Sequence, residues 1–206
     1  MIKMKYCIFF LALQISSCSV VSFSDSIPLL KAAITGFENT PITLSEFNSS
    51  EYSFAVVKFN RGREARFILS DINSVGIERW VGPKGTKIFA LNGRILKTEG
   101  LDHDYQIINW QADNLDLINI NFIHLTKPQA LFEQQTEYIS REKDIIEFHY
   151  EGRIETSLVQ ELVTIKELNK KELNFYWTGD EGKIKRTIQH INPKFSYIEI
   201  DFFYKY

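Results

Sequence analysis

The stretch Trp80 to Leu101, W-V-G-P-K-G-T-K-I-F-A-L-N-G-R-I-L-K-T-E-G-L, predicts a β-hairpin. Apolar residues alternate through Ile88 and Ala90 before the turn, and Ile95 follows after it. Asn92-Gly93 separates the two arms, and these residue types tolerate the positive φ angles that both central positions of a type I′ turn require. We therefore expect two tightly paired antiparallel strands here.

Similar alternating runs, separated by Gly, Asn and Pro, occupy most of the remaining chain. Successive hairpins predict a mainly β protein, with a single antiparallel curved sheet or barrel-like domain and one or two short helices, because closure removes exposed sheet edges. The further predicted strands are Tyr52–Phe59, Arg63–Leu69, Tyr105–Trp110, Asn119–Leu125, Gln135–Ile139, Glu147–Tyr150, Ile154–Lys166, Leu173–Thr178, Lys183–His190 and Phe195–Tyr204.

Alternation also predicts the face on which each side chain lies, since neighbours along a strand point to opposite sides of the sheet. Phe67 and Leu69 belong to the inner set of their strand. In the first predicted strand, Phe54 and Val56 alternate with polar or exposed neighbours. The final strand carries Ile198, Ile200 and Phe202 on one face and Glu199 and Asp201 on the other.

The length and composition limit the class of protein. With 206 residues the chain is long enough for one sizeable domain and short for two. An apolar content of 44% and a charged content of 24% are typical of a folded domain, and 14% aromatic residues favour strands. The net charge of −2 gives no general attraction to nucleic acid, whose partners present a basic face.

Residues 1–17 have the pattern of a lipoprotein-type signal peptide. Two lysines form a short basic segment, and Tyr6–Leu13 is an apolar run too short to span a bilayer. The segment Ile15–Cys18, I-S-S-C, resembles the bacterial lipobox, in which Cys18 is the site of lipid attachment. The alternative is an ordinary cleaved signal beside which Cys18 is incidental.

Lipidation has consequences for the cysteines and for the location of the protein. Cys7 is removed with the signal and Cys18 carries the lipid, so no thiol remains for a disulfide. Because Ser19 rather than Asp follows the cysteine, analogy with enterobacterial sorting predicts an anchor in the outer membrane, facing the periplasm. The predicted segments are a signal peptide at 1–17, a lipidated tether at 18–25 and a β-rich domain at 26–206.

Helical spacing of apolar residues predicts one short amphipathic helix from Pro28 to Gly36, with Ser26 as its N-cap. Its apolar face is expected to cover an opening or an edge of the sheet. A membrane-surface helix is the alternative, although Lys31 is the one basic residue that it offers.

The sequence contains none of the common hydrolase, zinc-protease or phosphate-loop motifs. The four histidines are widely scattered, and Asp102-His103-Asp104 is interpreted as a solvated turn. Glu199 and Asp201 share a strand face, where polar alternation on a half-exposed strand explains them better than glycoside chemistry does. Lys183, Lys185 and Arg186 on the preceding strand are expected to form charge pairs across that hairpin, with contact to glycan or anionic lipid as the alternative. We therefore predict neither an enzyme nor a cofactor or metal site.

Three tryptophans, Trp80, Trp110 and Trp177, are candidates for stacking on sugar rings. Burial in a β core is the commoner role of tryptophan, because the indole ring removes a large area from water. Both interpretations stay open at the level of the sequence.

The central hairpin and the later segment F-Y-W-T-G-D-E-G-K-I-K-R-T-I-Q-H-I-N-P resemble the YjbF/GfcB-type lipoproteins of group 4 capsule and exopolysaccharide operons. The resemblance covers most of the mature chain and is poor over Asn114–Arg153. Thr178 stands where the family has Asp. The matching residues are Trp80, Asn92, Gly93, Arg94, Leu96, Lys97, Thr98, Trp177, Gly182, Gln189 and Pro193.

The resemblance implies a barrel-like outer-membrane lipoprotein that acts as an accessory in capsule or exopolysaccharide secretion. Its expected partners are polysaccharide-export proteins or outer-membrane β-barrel proteins, and the family supplies no catalytic residues. A second hypothesis is a periplasmic glycan- or lipid-binding module with an aromatic-lined cavity.

Arg94 and Lys97 have no evident folding role in the sequence and are candidate surface residues for a partner. Arg94 directly follows the turn, so we expect it to be exposed. Cross-strand support of the sheet is the preferred interpretation, and replacing Arg94 with Ala is expected to leave the fold intact.

Overall fold

The computed structural model describes residues 41–60, 62–108, 119–126, 129–192 and 197–205. These residues all belong to one compact unit, Asn39–Tyr206. The predicted signal peptide, the tether with Cys18, the helix Pro28–Gly36 and Trp110 lie outside the described residues.

The described strands form a closed antiparallel barrel, which confirms the predicted fold class. Each strand pairs with its neighbours along the chain, and the last strand pairs with the first over Phe54–Phe59 and Ile198–Phe203. The strands are β1 (Phe54–Phe59), β2 (Glu64–Ile72), β3 (Glu78–Val81), β4 (Lys87–Leu91), β5 (Arg94–Glu99), β6 (Tyr105–Ile108), β7 (Asn119–Thr126), β8 (Gln129–Phe148), β9 (Gly152–Ile165), β10 (Lys170–Thr178), β11 (Ile184–Gln189) and β12 (Ile198–Phe203).

The central hairpin is the pair β4–β5, joined as predicted at Asn92-Gly93. Both turn residues have positive φ, 49° at Asn92 and 76° at Gly93, which is the conformation that a type I′ turn requires. The pairing register shifts once, so Leu96 is an extra residue between the partners of Ala90 and Phe89. This bulge lets Ile95 and Thr98 both be buried although they are three positions apart.

The β8–β9 hairpin departs most from the sequence prediction. Gln135–Ile139 and Glu147–Tyr150 were expected as separate strands, but β8 is continuous over 20 residues and pairs with the 14 residues of β9. Consecutive residues Arg141–Lys143 are exposed, so this part of the strand shows no alternation. Backbone pairing with β9 continues through the polar segment and maintains the strand.

The main hydrophobic core fills part of the barrel interior. Phe67 and Leu69 of β2 face inward, as predicted. Ile198, Ile200 and Phe202 of β12 share one face, as predicted, and that face is the interior one. In β1 the interior face carries Ala55 and Val57, each 1% exposed. The prediction that the neighbours of Phe54 and Val56 are exposed is therefore wrong, because both faces of β1 are covered.

A second apolar cluster covers the outer face of β1 and β12. The end of the β8–β9 hairpin packs there, with Phe148 against Phe203 at 5.2 Å between ring centroids. Helix α1 (Leu44–Ser49) completes the cover, and its Phe47 ring stacks on Tyr150 at 5.0 Å. Within the described residues α1 is the single α-helix, and it is too short to cross a membrane.

Sequence analysis did not predict α1, although the sequence contains a signal for it. Thr43 and Glu46 form a capping box, in which each side chain accepts a hydrogen bond from the backbone N–H of the other residue. The pattern T-x-x-E alone does not predict a helix here, because the helix has only six residues and no buried apolar stripe.

Gly93→Ala tests how tightly the central turn is packed. A Cβ at this position would lie 2.8 Å from Ile184 Cγ2, and the residue has a φ of +76°. We expect the free energy of unfolding to fall by about 2–4 kcal/mol, from the left-handed backbone and from overpacking together.

Gly85→Ala is the matched control, because Gly85 has a φ of +75° and a Cβ added there would meet no described atom within 4 Å. Its free energy of unfolding should fall only by the cost of the left-handed backbone, about 1 kcal/mol. Urea unfolding of both variants measures the difference, and equal losses would show that contact with Ile184 is unimportant.

Candidate functional site

One end of the barrel opens into a cavity of about 480 Å³. The turns β2–β3, β4–β5 and β10–β11 surround this opening, and β8 and β9 pass beside it. The cavity therefore lies inside the barrel mouth and combines apolar walls with charged groups. The charged residues that line it are Glu78, Arg94, Arg141, Glu161 and Lys183.

A buried ion pair between Arg94 and Glu161 crosses the floor of this cavity. The Arg94 guanidinium donates to Glu161 Oε1 and lies over the Tyr176 ring, 5.1 Å from its centroid. Arg94 is 8% exposed and Glu161 is 6% exposed. Paired charges at this depth are strongly coupled, because little water remains to screen them.

The prediction that Arg94 is exposed is therefore wrong. Arg94 follows the turn directly, but its side chain enters the barrel interior to meet the carboxylate of Glu161, 67 residues away in the sequence. Of the two interpretations of Arg94, support of the sheet describes its role better than contact with a partner protein does. The expectation that Arg94→Ala leaves the fold intact does not fit a buried ion pair.

Gln189 connects the central hairpin to the opposite wall of the barrel. Its amide nitrogen donates to the Gly93 carbonyl at 2.7 Å, and its amide oxygen accepts from the Ile95 backbone N–H at 3.0 Å. Gln189 is 1% exposed, so both bonds lie in the interior. The matched residues Gly93 and Gln189, far apart in the sequence, thus form one structural unit.

Trp80 is a core residue. It is 1% exposed and contacts Phe202 and Tyr204 edge-on. Its indole N–H donates to Glu78 at 3.0 Å, and the Tyr204 hydroxyl donates to the same carboxylate. Stacking of a sugar on Trp80 is therefore excluded, since neither face of the ring is accessible.

Glu78 lies at the cavity in an unusual environment for a carboxylate. Burial raises its pKa, and the hydrogen bonds from Tyr204 and Trp80 oppose that shift without cancelling it. Burial also raises the pKa of the Tyr176 and Tyr204 hydroxyls, so both remain neutral at physiological pH. The cavity thus presents carboxylates and phenols together.

Lys97 and Trp177 lie away from the cavity lining. Lys97 is partly exposed and forms an ion pair with Glu99 at 2.7 Å, so it remains a candidate surface residue. The Trp177 indole donates to Asp144 at 2.7 Å, and its ring stacks on Phe175. These contacts attach the β8–β9 hairpin to the outer wall, while a glycan-binding role of Trp177 stays a prediction.

A second group of charged residues lies on the outer wall, beneath the end of the β8–β9 hairpin. Asp201 accepts two hydrogen bonds from Arg186 and lies 2.7 Å from His149 Nε2. The Ile42 backbone N–H donates to His149 Nδ1 at 3.0 Å. Glu199 also pairs with Arg186, at 3.7 Å, which confirms the predicted charge pairing around this residue.

This His–Asp pair has the wrong arrangement for a catalytic base. Nδ1 accepts from Ile42, so the neutral ring carries its proton on Nε2 and donates it to Asp201. Neither ring nitrogen is available to take a proton from a substrate. The pair instead joins three distant parts of the chain.

Asp102-His103-Asp104 forms a turn, as predicted. Asp104 accepts from the backbone N–H groups of Gly100 and Leu101 and from the Thr98 hydroxyl, which stabilises the connection between β5 and β6. In the described part of the chain no three His, Cys, Asp or Glu side chains are arranged to hold a metal ion.

Arg94→Ala is expected to lower the free energy of unfolding by about 3–5 kcal/mol, because it leaves Glu161 as an unpaired buried charge. Lys97→Ala is the control and should cost less than about 0.5 kcal/mol. The double variant Arg94→Met with Glu161→Leu should recover most of the loss. Urea unfolding measures all three, and a neutral Arg94→Ala variant would contradict the structural role.

Asp201→Asn tests the outer cluster through its pH dependence. Burial disfavours the charged carboxylate, but hydrogen bonds from Arg186 and His149 outweigh this effect and lower the pKa of Asp201. The resulting stabilisation is complete above the unfolded-state pKa of about 3.9 and is lost as the pH falls through the lower folded-state pKa. The variant should be less stable by about 2 kcal/mol near pH 7.

The two unfolding free energies should converge at acidic pH, where Asp201 itself is protonated. Asp180→Asn, in the exposed β10–β11 turn, is the control and should differ from wild type by less than about 0.5 kcal/mol throughout. A loss in Asp201→Asn that does not depend on pH would contradict the ion-pair interpretation.

Comparison with solved structures supports the fold. The chain is similar to the crystal structure of the hypothetical lipoprotein YmcC from Escherichia coli (K12), with a TM-score of 0.64 and 16% sequence identity. The alignment covers 92% of this chain and 99% of that one. At this identity the likeness establishes the fold alone.

Comparison of sequences establishes the family. No curated protein sequence matches the chain. Residues 28–203, however, match the family described as "Group 4 capsule polysaccharide lipoprotein gfcB, YjbF". The match includes the central hairpin, both halves of the Arg94–Glu161 pair and Gln189, and it confirms the resemblance found in the sequence. The chain therefore belongs to the YjbF family of group 4 capsule polysaccharide lipoproteins.

Proposed function

We propose that this protein is an outer-membrane lipoprotein that acts as a non-enzymatic accessory in the secretion of capsule or exopolysaccharide. The observation that carries the proposal is the family match over residues 28–203. The lipobox-like segment Ile15–Cys18 precedes the matched region, which is the arrangement expected of an anchored domain. Attachment through Cys18 would keep the barrel at the membrane surface, facing the periplasm.

The described side chains favour an accessory role over catalysis. The His149–Asp201 pair has both ring nitrogens engaged. At the barrel mouth Glu161 is paired with Arg94, and Glu78 accepts hydrogen bonds from Trp80 and Tyr204. We infer that the protein contributes binding and positioning at the membrane, with polysaccharide-export or outer-membrane β-barrel proteins as its partners.

An in-frame deletion tests this function. Surface polysaccharide should fall in the deletion strain and return when the wild-type gene is supplied from a plasmid. A Cys18→Ser gene should restore much less, because the domain would no longer be held at the membrane. Normal surface polysaccharide in the deletion strain, with the neighbouring genes still expressed, would refute the proposal.

The role of Lys97 is tested in the same strain. Lys97→Glu reverses the charge of a partly exposed side chain, so it should leave the protein level unchanged and reduce export if a partner contacts this residue. Lys171→Glu, at an exposed position of β10, is the matched control. Equal export by both variants would remove Lys97 from the partner surface.

A further inference from the structure

The β8–β9 hairpin has one strand edge that extends beyond the closed barrel. β7 pairs with β8 only as far as Thr136. Over the rest of the strand, Glu137–Phe148, β8 pairs with β9 on one side, and in the part of the chain that the structure describes no strand pairs with it on the other. An unpaired edge of this kind is a template on which a further strand can form.

The backbone groups of this edge point away from the hairpin. The Asp144 carbonyl accepts a hydrogen bond from Thr156 Oγ1 at 3.1 Å, so it points toward β9. Successive residues of a strand direct their backbone groups to opposite edges, so those of Ile145 point outward. The Ile145 N–H donates to the side chain of Asp144 at 2.8 Å. By the same alternation, Arg141 and Lys143 also present their N–H and C=O groups to the open edge.

The edge is held in an extended conformation from both ends. At one end β8 belongs to the barrel wall through its pairing with β7. At the other end Phe148 is fully buried against Phe203, and the connection to β9 is attached through Glu151, which pairs with Lys185 at 2.9 Å. A strand that is already ordered loses little conformational entropy when another segment pairs with it.

The exposed side chains along the edge select the partner. Arg141, Lys143 and Ile145 share one face, because alternate residues of a strand lie on the same side. Ile145 is 53% exposed, and among the described residues neither basic side chain has an ion-pair partner. Opposite charges on directly facing residues stabilise an antiparallel pair. The edge therefore matches a strand with the pattern apolar-x-acidic-x-acidic, read from its N-terminus.

A second copy of this chain fits the edge less well. Antiparallel pairing about a two-fold axis places one residue opposite its own copy. The residues Arg141–Asp144 are all charged, so every register centred on them sets like charge against like charge. A strand from another protein, with acidic residues opposite Arg141 and Lys143, avoids this repulsion.

We propose that the open edge of β8 binds an extended segment of a partner protein, which adds to the sheet as an antiparallel strand. Its acidic side chains lie opposite Arg141 and Lys143, and an apolar side chain lies opposite Ile145. Backbone hydrogen bonds provide the affinity in this mode of recognition, and alternate side chains provide the specificity. The proposal deepens the proposed function, on which it rests for the place of the partner at the membrane.

Hydrogen exchange of single amides, measured by NMR on the full-length chain in mild detergent, tests the edge. The probes are two short peptides, T-V-T-D-T-E-T with the matching pattern and T-V-T-K-T-K-T with the opposite charges. The amides of Arg141, Lys143 and Ile145 should exchange rapidly in the protein alone. At saturation the acidic peptide should slow them about tenfold or more, and the basic peptide should not.

Two kinds of variant locate the binding. Arg141→Glu combined with Lys143→Glu should reverse the preference, so that only the basic peptide slows exchange. Lys84→Glu combined with Lys171→Glu, both exposed and outside β8, makes the same change in net charge and should leave the preference unchanged. Ile145→Pro removes one outward N–H at a position where an edge strand tolerates proline, and should abolish protection of Lys143. Circular dichroism verifies that each variant is folded.

Several outcomes would overturn the proposal. Slow exchange of the three amides in the protein alone would show that the edge is already occupied. Equal protection by both peptides, or by neither, would show that the edge does not select an acidic strand. Dimers in solution that the Arg141→Glu, Lys143→Glu variant dissociates would assign the edge to a second copy.

The result is separable from that of the deletion experiment. Normal surface polysaccharide in the deletion strain, together with selective protection by the acidic peptide, would refute the secretion role and retain the strand-addition site. Reduced polysaccharide without any protection by the peptide would do the opposite.

Discussion

The buried ion pair between Arg94 and Glu161 is the constraint on which the barrel interior depends. Two charges inside a protein are tolerated only when each neutralises the other, because desolvation of either alone is costly. The pair therefore fixes the position of β5 relative to β9, two strands that are not neighbours in the sheet. Gln189 adds neutral hydrogen bonds across the same space and holds the turn of the central hairpin.

The ion pair and the hydrogen bonds of Gln189 together divide the barrel interior into two environments. One part is an apolar core around Trp80, Ile88 and Phe202, and the other is the open mouth with its carboxylates and phenols. A fully apolar interior would be simpler to fold, since no buried polar group would need a partner. Retention of the polar groups at one end is consistent with a role for that end beyond stability.

The features that could be predicted from the sequence are those encoded by neighbouring residues. The Asn92-Gly93 turn and the shared face of Ile198, Ile200 and Phe202 depend on local geometry, and both are present. The partner of Arg94 could not be predicted, because a charge next to a turn is ordinarily solvated and Glu161 lies on a distant strand. The continuity of β8 was missed for a related reason, since its exposed middle is maintained by backbone pairing that side-chain patterns do not record.

Closure of the barrel by β1 and β12 has a consequence for the order of folding. The first strand, Phe54–Phe59, has its final neighbour only when Ile198–Phe203 has been synthesised. Until then one edge of β1 remains unpaired, and Phe54 and Val56 lack the hairpin end that covers them in the finished barrel. Contacts between such distant segments form slowly. An incompletely synthesised chain thus carries an unpaired, aggregation-prone strand edge until β12 is complete.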